Sequence, residues 1–338
     1  MNSLPQVQRT CDSTYSGCVP CFIRTYSSGG VTVPDSVIRV RKLRDLTLSN
    51  TVEGRPNHLT AGSGLVRRGD CIYVVGDDEL DLAVFSLSSG EPGELVRLFE
   101  GVLPVDSGER SQDKPDLEAL TVLPPFRFNP HGALLALGSG SGESRDRGFA
   151  WSLDESGALR GFPRIVDLSD LYDFLEQHVA GKLNIEGVAV TGDRLALFQR
   201  GNSKDGENLV AYLSLERVLK ELSADFAIES SELDEVQKFE LGDLGGIELN
   251  FSDADSLPDG RLVFAASTEA PDGECVGSVV GVIDSDHQIQ RIEPLDDDSV
   301  KVEGVDAILS DEQIDVLLVS DADDVNVPSP LFSATLPG

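Results

Sequence analysis

The chain has 338 residues, of which 40% are hydrophobic and 25% charged, a composition typical of a globular protein. Its 59 acidic and 27 basic side chains give a formal net charge of −32. That balance disfavours binding to nucleic acid or to anionic membranes, because both need clustered lysine and arginine. Acidity of this kind fits two alternatives: adaptation to high salt, where screening weakens self-repulsion, or an ordinary acidic cytoplasmic protein.

The first 35 residues are polar and lack the basic start and apolar core of a secretory signal. We therefore expect a cytoplasmic monomer, with secretion left open if the N-terminus is processed. We expect residues 1–35 to form an N-terminal extension, disordered in part. Five cysteines are too few, and odd in number, for a disulfide scaffold. Cys11, Cys18 and Cys21 leave open a zinc or redox site in the extension.

In chain order, residues 36–43 read as one strand, and a pair of strands then recurs five times. The copy at residues 184–190 is typical: Glu186 heads an apolar run, and Gly192-Asp193 opens the second strand. A third strand follows each pair, and a more polar fourth strand follows all but the last. The five copies begin 50 to 68 residues apart, at Ser63, Glu118, Glu186, Asp253 and Glu303.

These intervals each accommodate one four-stranded propeller blade, which needs about 40–50 residues. The two longest intervals contain amphipathic helical inserts at residues 167–176 and 215–222. The last copy ends after its third strand, so the strand at residues 36–43 is expected to complete that blade and close the ring. The prediction is an all-β protein, a five-bladed β-propeller over residues 36–338, closed by an N-terminal strand and carrying two short helical inserts.

Equivalent positions on the inner strands of a propeller surround its central channel. Five residues are therefore predicted to form a ring: Ser63, Glu118, Glu186, Asp253 and Glu303. Four carboxylates in a narrow channel repel one another, and a hard cation would compensate them. Calcium, which accepts six to eight oxygen ligands, is the first choice and magnesium the second. The alternative is a water-filled channel whose acids pair with arginine or lysine or stay protonated.

Polar loops follow the second strand of every blade and are expected to share one rim. The predicted substrate-binding residues on them are Asp77, Asp78, Arg145, Arg200 and Asp321. The arginines could hold a phosphate through charge-assisted hydrogen bonds, and the acids could orient water or a second cation. Alternatively, these loops are polar only because they are loops. The chain contains no phosphate-binding P-loop and no Gly-x-Ser-x-Gly nucleophile elbow.

The ring, its spacing and the string Lys301-Val302-Glu303-Gly304-Val305 resemble the calcium-activated nucleotidases of the apyrase type. That resemblance implies a five-bladed propeller with one calcium in its channel, hydrolysing nucleoside di- and triphosphates. The family has a hydroxyl at the fourth ring position, whereas here Asp253 follows Ser252. The strings at residues 114–120 and 137–141 are similar to uncharacterised bacterial propellers related to esterase-like phytases.

Two functions follow as alternatives. The first is a calcium-dependent phosphohydrolase acting on a phosphorylated small molecule, with the cation polarising a phosphoryl oxygen. The second is a non-catalytic binding propeller in which calcium has a structural role. No catalytic residue is assigned from the sequence.

Overall fold

A computed structural model describes residues 22–25, 37–51, 54–142, 144–202, 206–270, 273 and 275–338. The described residues form five small sheets arranged as a five-bladed β-propeller, which confirms the predicted fold class. Cys11, Cys18 and Cys21 lie outside them, so the open zinc or redox assignment does too. Within these ranges, no helix is long and apolar enough to cross a membrane.

The elements follow one another in blade order. Strands β1 (Phe22–Thr25) and β2 (Arg41–Asp45) precede the first blade, which consists of β3 (Gly62–Arg68), β4 (Cys71–Gly76), β5 (Asp81–Ser86) and β6 (Glu94–Arg97). Helix α1 (Ser107–Asp113) leads into the second blade, β7 (Leu117–Leu123), β8 (Ala133–Gly138), β9 (Arg147–Ser152) and β10 (Arg164–Asp167). Helix α2 (Ser169–Glu176) precedes the third blade, β11 (Ile185–Thr191), β12 (Arg194–Gln199), β13 (Asn208–Ser214) and β14 (Leu233–Phe239).

Helix α3 (Leu215–Ala224) and a 3-10 turn at Ser230–Glu232 connect β13 to β14. The short strand β15 (Asp243–Leu244) leads into the fourth blade, β16 (Ile247–Ser256), β17 (Leu262–Glu269), β18 (Cys275–Ile283) and β19 (Ile289–Pro294). The fifth blade consists of β20 (Val302–Ser310), β21 (Gln313–Ser320) and β22 (Pro330–Pro337), with β2 as its outer strand.

Closure by the N-terminal strand is therefore confirmed. Strand β2 pairs antiparallel with β22, in a register that sets Arg41 opposite Ser333. The predicted strand at residues 36–43 began too early, since β2 starts at Arg41 and Ile38 makes only an isolated bridge to Leu295. Strand β1, which the sequence did not predict, adds to the outer edge of the third blade by pairing parallel with β14.

Both predicted helices are present, and each buries one apolar face. Helix α2 buries Leu171, Tyr172 and Leu175 against a core that also contains strands of the second and third blades. Phe174, expected on that face, is only partly buried beside it. Helix α1 was not predicted because its sequence, Ser-Gly-Glu-Arg-Ser-Gln-Asp, has no apolar face to detect.

Glycines let the inner strands approach closely around the channel. A Cβ on Gly304 would lie 2.1 Å from the backbone oxygen of Ser63 in the next blade. A Cβ on Gly64 would lie 2.7 Å from the Glu118 oxygen, and one on Gly187 would lie 2.8 Å from the Ala254 nitrogen. All three distances are shorter than any carbon–oxygen or carbon–nitrogen contact a side chain can accept. The spacing of neighbouring blades therefore requires glycine at these positions.

We predict that Gly304→Ala destabilises the protein by about 1–3 kcal/mol, because the added methyl group must push two inner strands apart. Gly90→Ala is the matched control: a Cβ there meets nothing within 4 Å. That variant should stay within about 0.5 kcal/mol of wild type. Equilibrium unfolding in urea measures both values. Equal stability of the two variants would contradict the close-approach argument.

Candidate functional site

Each inner strand has an irregularity in pairing at its ring residue. The register with the second strand shifts across Glu118, across Glu186 and across Glu303, as expected for single-residue bulges. In the first blade the shift lies between Gly62 and Leu65 and includes Ser63. These four predicted residues therefore occupy equivalent places on the inner strands.

In the fourth blade the shift lies between Phe251 and Asp253, so the bulged residue is Ser252. Asp253 occupies the next position, which is glycine in blades one, three and five. The repeat alignment was therefore out by one residue there. By structural equivalence the ring consists of two serines and three glutamates: Ser63, Glu118, Glu186, Ser252 and Glu303.

Asp253 has another role. It is fully buried, and its Oδ2 accepts a hydrogen bond of 2.8 Å from the backbone N–H of Val305 in the next blade. Its Oδ1 has no hydrogen-bond partner among the described residues, and neither does the buried Oγ of Ser252. Burial raises the pKa of Asp253 well above its usual range, while the Val305 bond lowers it. Asp253 thus links two blades across their inner strands.

Two of the ring glutamates share one arginine. Arg200, only 4% exposed, places Nη1 at 3.4 Å from both Glu186 Oε2 and Glu303 Oε2. Lys301 adds a second cation, with Nζ at 3.0 Å from Glu303 Oε1. Burial raises the pKa of Glu186 to about 7, and the charge of Arg200 acts in the opposite direction. The predicted substrate residue Arg200 is therefore part of the channel's own charge network.

The third ring glutamate belongs to a different cluster. Asp77, Asp116 and Glu118 each present a carboxylate oxygen, and these oxygens lie within 4.8 Å of one another. Asp77 follows strand β4, Asp116 immediately precedes β7, and Glu118 is the bulged residue of β7. Asp116 has a φ of 54°, a left-handed conformation that aspartate tolerates better than most residues. We call these three residues the acidic triad.

Basic and hydroxyl side chains surround Asp116. Its Oδ2 accepts hydrogen bonds from Ser139 Oγ at 2.5 Å, from Ser141 Oγ at 3.2 Å and from Arg145 Nη1 at 2.7 Å. Its Oδ1 lies 2.6 Å from Lys114 Nζ, and the same ammonium pairs closely with Asp77 Oδ2. Asp77 Oδ1 is buried without a partner among the described residues.

Glu118 is half-buried, and it forms no hydrogen bond or ion pair with a side chain among the described residues. Burial raises its pKa well above the usual carboxyl range. The charges of Glu186, Asp116 and Asp77 raise it further, and Lys114 lowers it. Among the described residues, Glu118 is thus the ring carboxylate that no basic side chain pairs with directly, so a cation, a proton or water must compensate its charge.

The other predicted rim residues are distributed over separate networks. Asp78 lies 3.0 Å from both Arg55 Nη2 and Arg110 Nη2, which attaches α1 and the segment before β3 to the β4–β5 loop. Asp321 lines a separate pocket of about 510 Å³ together with Phe332, and burial raises its pKa to about 7. Neither residue joins the acidic triad.

Arg145 lines a polar pocket of about 460 Å³ next to the triad. Its guanidinium bonds Asp116 on one side and the backbone oxygen of Ser111 at 2.8 Å on the other. The pocket is lined by Ser111, Gln112, Ser141, Gly142, Ser144, Arg145 and Lys182. Two cationic side chains and several hydroxyls suit it to an anion.

A sequence-family profile matches residues 58–336 of the chain. The chain therefore belongs to this family of unknown function, DUF6929. A search of curated protein sequences gave no match.

Solved propeller-like structures are similar in chain path. An α-L-arabinofuranosidase from Podospora anserina, solved with cellotriose, is 12% identical, with a TM-score of 0.49. The match covers 89% of this chain and 96% of the arabinofuranosidase chain. Glutaminyl cyclase from Myxococcus xanthus is 13% identical with a TM-score of 0.45, covering 90% and 100% respectively. Similarity at this level carries no argument about activity, and the nucleotidase and phytase resemblances stay predictions.

The isolated charge of Glu118 predicts a pH-dependent stability difference. Its pKa is raised in the folded state, so as pH rises above the ordinary carboxyl range the unfolded chain loses this proton first and stability falls. Glu118→Gln cannot ionise. In the presence of chelator we therefore expect its melting temperature to exceed that of wild type at pH 8 and the difference to shrink at pH 4.

Glu312→Gln, at an exposed position, is the control and should melt like wild type at both pH values. Circular dichroism thermal scans provide the measurement. A wild type more stable than Glu118→Gln at pH 8 would show that Glu118 has a stabilising partner.

Proposed function

We propose that the protein binds a divalent cation at the acidic triad and uses it to hold and hydrolyse a phosphorylated small molecule in the adjoining pocket. The observation that carries this proposal is the juxtaposition of three converging carboxylates with the Arg145 pocket. Asp116 connects the two, because it is a member of the triad and its Oδ2 accepts a hydrogen bond from Arg145.

The donor set of the triad fits a hard cation. Carboxylate oxygens are the ligands that calcium and magnesium prefer, and calcium tolerates irregular geometry better than magnesium. Glu118 has no basic side chain paired with it among the described residues, and Asp77 Oδ1 is buried without a partner among them, so both offer oxygen to a cation. Calcium is accordingly the first choice and magnesium the second.

The channel ring is a second cation position, and one observation favours it: the Oγ of Ser252 is buried with no partner among the described residues. Its chemistry, two hydroxyls and three carboxylates, also suits calcium. Against it, Arg200 already occupies the space between Glu186 and Glu303. The triad is therefore the preferred site, and Glu118 is common to both.

The chain's own groups account for substrate binding. Arg145 would donate hydrogen bonds to phosphate oxygens in the pocket. The hydroxyls of Ser141 and Ser144 would do so by turning away from Asp116 Oδ2 and from the Lys114 backbone oxygen. A bound divalent cation would withdraw charge from the phosphoryl group. The pair of Arg145 with Asp116 fixes the guanidinium at the boundary between pocket and triad, so a phosphate there lies against the cation ligands.

The ion pairs of the rim carboxylates favour the alternative function, a propeller that binds a ligand without cleaving it. Asp77 and Asp78, which were expected to orient water, are both engaged in ion pairs. A propeller with the same cation and the same pocket but no free base would bind a phosphorylated ligand without cleaving it.

We predict that calcium raises the melting temperature, because a ligand that binds only the folded state stabilises it, by about 2.7 kcal/mol at a hundredfold excess over Kd. Asp77→Asn should abolish this shift. Glu303→Gln should retain it, because Arg200 and Lys301 already engage that carboxylate. The reverse pattern would move the cation to the channel ring, and no shift in wild type would remove the cation altogether.

We also predict calcium-dependent release of inorganic phosphate from a panel of nucleotides and sugar phosphates. Arg145→Ala should lower kcat/KM about 10- to 100-fold, the loss expected for a hydrogen bond to a charged group. Arg160→Ala, at an exposed position, is the matched control and should behave like wild type. If calcium binds but no ester releases phosphate, the protein is the binding propeller.

A further inference from the structure

We propose that Lys114 and the divalent cation exchange places. Without the cation, the Lys114 ammonium occupies the cation position in the triad. With the cation bound, the ammonium turns to the adjoining pocket and becomes an additional anion-binding group. This inference rests on the proposed function, since it requires a cation at the triad.

The first argument is which oxygens remain available. Asp116 Oδ2 already accepts hydrogen bonds from three side chains, so only Oδ1 can serve a cation, and that atom lies 2.6 Å from Lys114 Nζ. On Asp77, Oδ2 is paired with Lys114, and only Oδ1 has no partner among the described residues. The ammonium and a cation that also uses Asp116 therefore compete for Asp116 Oδ1.

The second argument is charge. Lys114 contributes one positive charge to a cluster of three carboxylates, and Glu118 remains without a direct partner. A divalent cation contributes two, so it compensates the cluster more completely. Two cations at contact distance in a buried site repel strongly, because the local dielectric constant is far below that of water. Binding of a divalent cation therefore favours departure of the ammonium.

The third argument is that the Lys114 ammonium can reach the adjoining pocket. It is the C-cap residue of α1; its N–H donates to the Arg110 oxygen at 2.9 Å, and its own oxygen accepts from Ser144 Oγ at 3.4 Å. Ser111, Gln112 and Ser144 line the pocket, so the backbone of Lys114 stands at the pocket's edge. Rotation of its flexible four-carbon stem, with no backbone movement, moves the ammonium from the triad toward the pocket.

The consequence is positive coupling between cation and anion. With the cation absent, the pocket lacks the Lys114 charge; with the cation bound, that charge joins Arg145. Coupling between binding sites is reciprocal, so a phosphate group must strengthen cation binding by the same factor. The exchange would keep the protein from holding phosphorylated ligands tightly until the cation is in place.

The experiment measures binding by calorimetry, with calcium and methylphosphonate as probes, in wild type and in Lys114→Met. In wild type, saturating calcium should tighten methylphosphonate binding about tenfold, within the usual range of coupling. In Lys114→Met, calcium should bind at least tenfold more tightly, because no ammonium competes. Calcium should then tighten methylphosphonate binding less than it does in wild type, because only the direct attraction of the cation remains. Lys220→Met, at an exposed position of α3, is the matched control.

A second measurement needs no substitution. With ¹³C-labelled lysine, one of the seven lysine side-chain signals should shift on calcium binding and broaden or shift again with methylphosphonate. If calcium binds wild type but Lys114→Met binds it no more tightly, the exchange is wrong while the cation site stands. If calcium binds neither protein, the proposed function fails and the exchange fails with it.

Discussion

The close approach of the inner strands is the constraint on which the site depends. Gly64, Gly187 and Gly304 have no side chain because the backbone of the next blade occupies that space. Strands that approach so closely leave a narrow channel, and the ring carboxylates on them are buried or half-buried. Burial then raises the cost of its negative charge, so every such group needs a donor or a cation within reach.

The molecule meets this need in two different ways. Where a carboxylate faces the next blade, a backbone N–H serves it: Val305 donates to Asp253, Ala307 to Asp255, and Arg67 to Asp306. These bonds connect the fourth blade to the fifth and the fifth to the first. Where carboxylates face the channel or its rim, cationic side chains compensate them instead. Arg200 and Lys301 pair with the channel carboxylates Glu186 and Glu303. Lys114 and Arg145 pair with Asp116 at the rim.

The architecture could be predicted from the sequence because it repeats. An acid or serine at the start of an apolar strand, followed by a second apolar strand, recurs at blade-sized intervals, and a missing last strand implies closure from the N-terminus. The one error in register, Asp253 for Ser252, arose because an acid stands where three other blades have glycine, so the acidic pattern matched one residue too late. Helix α1 could not be predicted because its sequence is polar. Its buried residue, Arg110, forms an ion pair with Asp78 and does not pack in a hydrophobic core.

The site was harder to predict than the fold. Equivalence of blades located Glu118, Glu186 and Glu303, but it could not reveal that Arg200 lies between two of them. Nor could it bring Asp77, from a loop of the first blade, to Asp116 and Glu118 of the second. The segment at residues 114–120 resembles other propellers, but its sequence alone indicates no role for Lys114 or Asp116. Such contacts depend on how far side chains reach between blades, and a repeat pattern describes each blade separately.

Overall acidity does not by itself account for a cation site. The net charge of −32 attracts cations to the surface, but screening limits that attraction to about 10 Å at moderate salt. At the channel, most carboxylates are already paired with basic side chains. A cation that binds beside such a pair gains little free energy, because the carboxylate charge is already compensated. It gains where a carboxylate lacks a partner, and among the ring acids that position is Glu118. Glu118 is a member of both the acidic triad and the ring. Specificity for a divalent ion therefore depends on the groups around this one residue.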